Sequence, residues 1–307
     1  MDCFVLGSGG MMPMPRRRLT SVAIRVDGQI YLFDCGEGTQ VPYKELHLGL
    51  RALRVVAVSH LHADHCLGLP GLLMLRAQMP DPGPLTVLGP PGLQRFINHV
   101  RRDLVMFINY EVRVHEWTGV GGKAYSDDLV RLTWEPLAHT TFCLGYRMEE
   151  HPRPGRFDPE VANTLCIPRG PMWGELQQGR PVQLADGSTV TPSQVLGPPR
   201  RGRRVAFATD TAVAPGLERL LCNTDLAFVE SMFLEEHIDD AASKKHMTAG
   251  QAATTARTAG VARLVLVHIS PRYDDADLAQ FEAQAAQDHP RAQVARDGLT
   301  LTLPLPD

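Results

Sequence analysis

The string Ser59-His60-Leu61-His62-Ala63-Asp64-His65 carries three imidazoles and a carboxylate directly after the apolar run Arg54-Val55-Val56-Ala57-Val58. Neutral imidazole nitrogens with one carboxylate make a borderline-hard donor set suited to zinc or manganese rather than calcium. Four donors this close in sequence crowd a single ion. Alternation along an extended segment places His60 and His62 on one side, whereas Asp64 and His65 follow where the chain turns and can face a second ion. The pattern His-x-His-x-Asp-His at the end of a buried strand thus predicts a two-metal hydrolytic site. The plain alternative is a surface histidine cluster without metal, which four such residues at a strand end disfavour.

A second ion needs further donors from other strand ends. Three candidates stand in suitable places: His139 after Trp134-Glu135-Pro136-Leu137-Ala138, Asp210 after Val205-Ala206-Phe207-Ala208-Thr209, and His268 after Leu264-Val265-Leu266-Val267. Singly, each reads equally well as a polar residue ending a strand. Together with residues 60–65 they complete a site.

The elements that would position them follow from hydrophobic periodicity and turn residues. Strands are expected at residues 3–6, 21–26 and 30–33, with an Asp27-Gly28 turn between the last two. More are expected at 55–58, 85–88, 110–115, 129–137, 205–208, 226–229, 264–267 and 299–303. Helical patterns cover 39–47, 69–78, 92–104, 249–259 and 276–286. Strands mixed with helices along the whole length predict an α/β sandwich of two sheets covered by helices. Residues 150–204 differ, being rich in proline, glycine and arginine and weakly periodic. Such a segment is functional or projecting more often than it is core.

Composition narrows the class. A chain of 307 residues with 44% hydrophobic residues can bury a substantial core, and its longest apolar runs are far too short to cross a bilayer. The reading is a soluble, cytoplasmic protein without a membrane segment. Six cysteines without a Cys-x-x-Cys pair indicate neither a zinc knuckle nor a disulfide framework. A net charge of −3 argues against indiscriminate nucleic-acid binding, although local arginines and bound cations can still create a basic face.

Beyond the metal pattern, longer strings carry a resemblance. They are Leu6-Gly7-Ser8-Gly9-Gly10, Phe33-Asp34-Cys35-Gly36-Glu37-Gly38-Thr39-Gln40, Leu67-Gly68-Leu69-Pro70-Gly71-Leu72-Leu73, Gly145-Tyr146-Arg147, Pro168-Arg169-Gly170-Pro171 and His268-Ile269-Ser270-Pro271-Arg272-Tyr273. Over nearly its whole length the chain resembles the ribonuclease Z family, the tRNA 3′-processing endonucleases of the metallo-β-lactamase fold. The resemblance implies a single αββα sandwich domain over 1–307 with an inserted flexible arm at 150–204 that grips tRNA. It implies two zinc ions per subunit, with manganese as the other option, a homodimer, and precursor tRNA as substrate.

Carried onto matching positions, the family's roles give His60, His62 and His139 to one ion, Asp64, His65 and His268 to the other, and Asp210 to both. Asp64 would also orient the attacking water, and Asp34 would support the ligand loops from behind. Glu230 and His246 match the acidic and histidine members of two further family motifs and would together serve the leaving oxygen. Here those motifs read Val229-Glu230-Ser231-Met232 and His246-Met247-Thr248, and the family's Gly-Asp-Thr is Thr209-Asp210-Thr211. Arg16, Arg17, Arg18, Gly170 and Pro171 are the expected RNA contacts, with the run Arg200-Arg201-Gly202-Arg203-Arg204 as a further source of phosphate contacts. Two other readings remain open: a small-molecule hydrolase on the same core, and a catalytically weakened RNA-binding relative.

Overall fold

The computed structural model describes residues 1–306. It divides into two compact units, Met1–Glu149 with Arg204–Pro304, and Glu150–Arg203 with the residues from Leu305 on.

The first unit is built on two seven-stranded sheets. Strands β1 (Asp2–Gly7), β2 (Ser21–Val26), β3 (Gln29–Phe33), β4 (Leu53–Ala57), β5 (Leu85–Gly89) and β6 (Val112–Glu116) lie side by side in that order, and the closing strand Thr300–Thr302 pairs with β1. β1 to β3 pair antiparallel, β2 and β3 through the two-residue turn Asp27-Gly28; β3 to β6 pair parallel, with helices in the crossovers. The second sheet takes β7 (Gly122–Ser126), β8 (Val130–Leu137) and β9 (Cys143–Glu150). After the inserted hairpin β10 (Val182–Gln183) and β11 (Thr189–Val190), it continues with β12 (Arg204–Ala208), β13 (Leu226–Glu230), β14 (Leu264–Val267) and β15 (Ala292–Val294).

Alternation along the strands sorts side chains into three cores. Phe33, Val55, Tyr146, Phe207, Phe228 and Val265 point between the sheets. Their neighbours Leu32 and Val56 meet Tyr43, Leu69, Leu72 and Leu93 of one helical layer. Ala206, Ala227, Val229 and Leu266 meet Leu217, Ala252, Ala256 and Phe281 of the other. The result is the four-layered αββα sandwich expected from the sequence. Each fully buried Phe or Leu contributes roughly 1.5–3 kcal/mol, so the strands that carry the candidate ligands are anchored by the core. No helix among the described residues is long and apolar enough to cross a membrane.

The expected strands and helices are present with bounds moved by at most two residues: the helix expected at 69–78 spans Gly68–Arg76, and the strand expected at 3–6 spans Asp2–Gly7. Periodicity does not reveal β7, β9, β15, or the helices Pro215–Leu221 and Ile238–Lys244. In β9 two residues break the apolar pattern for packing reasons. A Cβ on Gly145 would lie 2.4 Å from Leu220 Cδ2. Arg147 Nη1 donates to Leu220 O at 3.3 Å and Cys222 O at 2.6 Å, covering the carboxyl end of Pro215–Leu221, where positive charge is favoured.

The second unit has its own small core of Ala162, Ile167, Leu176, Val182, Val190 and Val195. Asp158 caps the helix Pro159–Thr164 by accepting from Glu160 N and Val161 N. Gly170, at φ 120°, turns the chain into Pro171, the first residue of the helix Pro171–Gln177. Trp173 donates from Nε1 to Ile167 O at 3.1 Å and packs at a tilt 4.9 Å from Phe157, and Arg169 lies over its ring at 5.4 Å. Weak periodicity here reflects elements of two to seven residues, too short to display a period.

Gly145→Ala should lower stability by about 1–3 kcal/mol through overpacking against Leu220. In urea denaturation the midpoint should fall with the slope unchanged; an unchanged midpoint would contradict the packing described.

Candidate metal centre

Each candidate ligand stands just past the carboxyl end of a strand, where turns from several strands converge on one cleft. His60 to His65 follow β4, His139 follows β8, Asp210 follows β12 and His268 follows β14. Asp34, Asp210 and His268 take left-handed backbone conformations, with φ of 55°, 49° and 61°. Asp and His accept that conformation more readily than most residues, and outliers of this kind concentrate at functional sites.

The side chains form two donor groups that share Asp210. His60, His62, His139 and Asp210 have donor atoms within 4.8 Å of one another, and so do Asp64, His65 and His268. Asp210 divides its oxygens between them. Its Oδ2 is 3.6 Å from both His60 Nε2 and His139 Nε2, and its Oδ1 is 3.1 Å from His65 Nε2 and 3.2 Å from His268 Nε2. His60 Nε2, His139 Nε2 and Asp210 Oδ1 are buried without a hydrogen-bond partner among the described residues. Orphaned buried polar atoms are costly, and three aimed into one space fit divalent cations.

The charges tell the same story. Burial alone would raise the Asp64 and Asp210 carboxyls. The imidazoles of His268 and His65 at Asp64, joined by His60 at Asp210, instead hold both well below the carboxylate range. Burial lowers His60, whereas at His65 the opposing effect of Asp210 and Asp34 overcomes burial and raises it. Two buried carboxylates therefore demand positive charge, which metal cations would supply without protonating the ligands.

Behind the ligands lies a carboxylate that serves both groups. Asp34, fully buried, accepts from Ser59 N at 2.6 Å, Ser59 Oγ at 2.8 Å and Thr209 Oγ1 at 3.2 Å, and its Oδ2 is 2.6 Å from His65 Nδ1. Ser59 Oγ is also 3.0 Å from His60 Nδ1. One carboxylate thus orients an imidazole of each group, His65 directly and His60 through Ser59, leaving both Nε2 atoms facing the cleft. Met11 N donates to Asp64 Oδ2 at 2.7 Å, and a Cβ on Gly10 would stand 2.5 Å from the His268 ring. Sequence reasoning missed Ser59, Thr209 and the Met11 amide. Only a hydroxyl residue directly before a ligand hinted at the first two.

Glu230, also fully buried, accepts from Thr211 N at 2.6 Å, Met247 N at 3.1 Å and Met232 N at 3.3 Å, and is 2.9 Å from His246 Nδ1. Burial would lower the His246 pKa, but Glu230 pushes it up to about 9. His246 Nδ1 is held, and the ring lies 5.0 Å from that of His139. His62, Asp64, His139, Asp210, His246 and His268 line a cavity of about 710 Å³ together with Met11, Met12 and Met14.

The arginine runs need correction. Arg17 is 5% exposed and donates to Ser270 O, Tyr273 O and Asp275, so it braces the loop before Asp275 and is not a surface contact. Arg16 is exposed beside Asp275, and Arg18 pairs with Glu45 at 3.2 Å. In the second unit Arg203 is paired with Glu150 and Arg200 donates to Pro154 O; in the first, Arg204 lies 3.3 Å from Glu149. The run 200–204 is therefore no free basic strip. Gly170 and Pro171 lie in the second unit and the donor groups in the first.

Asp34→Asn keeps the left-handed turn but replaces a carboxylate oxygen with an amide nitrogen that cannot accept. It should weaken the binding of an added divalent metal ion by roughly 10–100-fold in calorimetric titration, and unchanged affinity would refute the bracing role. Comparison with known proteins then locates the chain. Residues 159–269 match the family described as Beta-lactamase superfamily domain, and residues 1–97 match the one described as Anti-Pycsar protein Apyc1. The chain is 43% identical to Ribonuclease Z of Treponema denticola, across 100% of this chain and 99% of that protein. It is 40% identical to Ribonuclease Z of Salinibacter ruber, across 97% and 92%. The crystal structure of human tRNase Z, short form, superposes with a TM-score of 0.72 at 23% identity, covering 99% and 100% of the two chains. End-to-end identity at this level, on a metallo-β-lactamase fold, places the chain in the ribonuclease Z family.

Proposed function

We propose that this protein is a metal-dependent endoribonuclease that removes the 3′ trailer from precursor tRNA, leaving a 3′-hydroxyl on the tRNA and a 5′-phosphate on the trailer. The observation that carries the reading is the pair of donor groups sharing Asp210, in a chain aligned end to end with ribonuclease Z relatives. His60, His62 and His139 would hold one ion and Asp64, His65 and His268 the other, with Asp210 within reach of both groups. When bound, the ions supply Lewis acidity, which acidifies water and draws charge from the phosphoryl oxygens. Zinc suits the histidine-rich set, with manganese as the alternative. The homodimer rests on the family resemblance, and the cytoplasmic location on the composition of the chain.

The chain's own groups do the rest. Asp64, ionised and fixed by the Met11 amide, orients the attacking water and accepts its proton. His246 keeps its Nδ1 on Glu230, so an imidazolium proton on Nε2 is free for the ribose 3′ oxygen as it departs from phosphorus. Glu230, in direct contact with Nδ1, favours the charged form of the ring and so suits it to carry that proton. Asp34 and Ser59 fix His65 and His60 so that neither ring turns during the reaction. The second unit, with Gly170, Pro171 and the Arg169–Trp173 stack, gathers binding energy from the folded body of the tRNA, so position rather than sequence selects the bond to be cut.

Purified protein incubated with zinc or manganese and a precursor tRNA carrying a trailer should cut after the discriminator nucleotide, and Asp64→Ala should lower the rate at least ~100-fold. End mapping that finds no metal-dependent cut there by the unmodified protein sinks the proposal. Replacing residues 156–195 by a short linker should depress tRNA cleavage far more than hydrolysis of bis(p-nitrophenyl) phosphate. Equal losses would mean that the second unit only stabilises the fold.

A further inference from the structure

One wall of the cavity beside His246 is cationic. Phe233 is 1% exposed, and Lys244 Nζ lies 5.4 Å and Arg272 Cζ 5.3 Å from the centroid of its ring. Long cationic side chains at a surface ordinarily sample many rotamers; contact with one buried ring restrains both. Arg272 is paired with Asp240 at 2.6 Å, and Lys244 forms no ion pair among the described residues, although Asp240 also feels its charge. One carboxylate thus faces two cations. Lys245 adds a third positive charge nearby, donating from Nζ to His139 O at 3.1 Å. Lys244 and Arg272 both line the cavity, whereas its methionines, Met11, Met12, Met14 and Met232, are uncharged. An ammonium resting on that ring, without an ion pair of its own among the described residues, beside a phosphodiester-cutting centre suits a second phosphate of the same strand.

The side of the cut follows from position. Lys244 precedes His246 by two residues, and the Phe233 ring is 6.2 Å from that of His246. His246 serves the departing 3′ oxygen, which stays on the tRNA. We propose that Lys244, with Arg272 beside it, binds a backbone phosphate on the tRNA side of the cleaved bond, so that it recognises product as well as substrate. This inference rests on the proposed tRNA-cutting function and adds the polarity of the bound strand.

The test compares holoenzyme carrying Lys244→Ala or Lys244→Arg with the unmodified protein. Precursor tRNA is the substrate; mature tRNA with a free 3′-hydroxyl and a 5′-phosphorylated trailer oligonucleotide are competing inhibitors. Lys244→Ala should raise KM for the precursor and Ki for mature tRNA by one common factor of about threefold or more in 50 mM salt. The Ki of the trailer should not move, and Lys244→Arg should restore both affected constants. The ratio of variant to unmodified Ki should shrink about threefold between 50 and 200 mM salt, as the loss of one phosphate contact requires. An unchanged Ki for mature tRNA, or an effect confined to the trailer, overturns the assignment. Cleavage by the unmodified protein with Lys244→Ala unaffected refutes this phosphate site alone; no cleavage by the unmodified protein refutes the functional reading beneath it.

Discussion

The Asp210 carboxylate stands between two sets of imidazoles, one oxygen turned to each, and this placement constrains the rest of the molecule. A buried carboxylate among five histidines is tolerable only if every ring is held and positive charge is supplied. Holding the rings requires β4, β8, β12 and β14 to end within reach of one point, which two packed sheets achieve by bringing those strand ends to a common edge. Asp34 extends the same logic one layer back. Because it touches His65 directly and His60 through Ser59, a shift in its turn would misalign both donor groups together.

What was legible in the sequence had a chemical reason to be so. Metal donors are few in kind, and a site that needs several must place them where strands stop, so His60, His139, Asp210 and His268 could be read from type and position. The sandwich was legible because buried parallel strands write unbroken apolar runs such as Leu264-Val265-Leu266-Val267. Ser59 and Thr209 were not legible, since hydroxyl residues occur everywhere and only the fold brings these two onto Asp34. β9 was hidden because Gly145 makes room for Leu220 and Arg147 caps a helix, and neither demand shows in a local pattern.

Charge was the most misleading signal. Arg16, Arg17 and Arg18 look alike in sequence, yet the first is exposed, the second is buried against carbonyl oxygens and the third pairs with Glu45. A guanidinium is a surface contact or an internal brace depending on what surrounds it, and a run of arginines does not say which. Lys244 shows the converse: a single lysine without a run gains meaning from the ring it rests on and the cavity it lines.

The left-handed turns at Asp34, Asp210 and His268 bear on how this family can drift over evolutionary time. At those positions a substitution is screened first by the backbone and only then by chemistry, because most side chains disfavour that conformation. Asparagine passes the first screen at Asp34 and Asp210 and fails the second. The most accessible neighbours of the active sequence are therefore folded proteins with a damaged centre rather than unfolded chains. A chain altered in this way would keep its scaffold while losing its centre, because turn geometry and donor chemistry are separable at these positions.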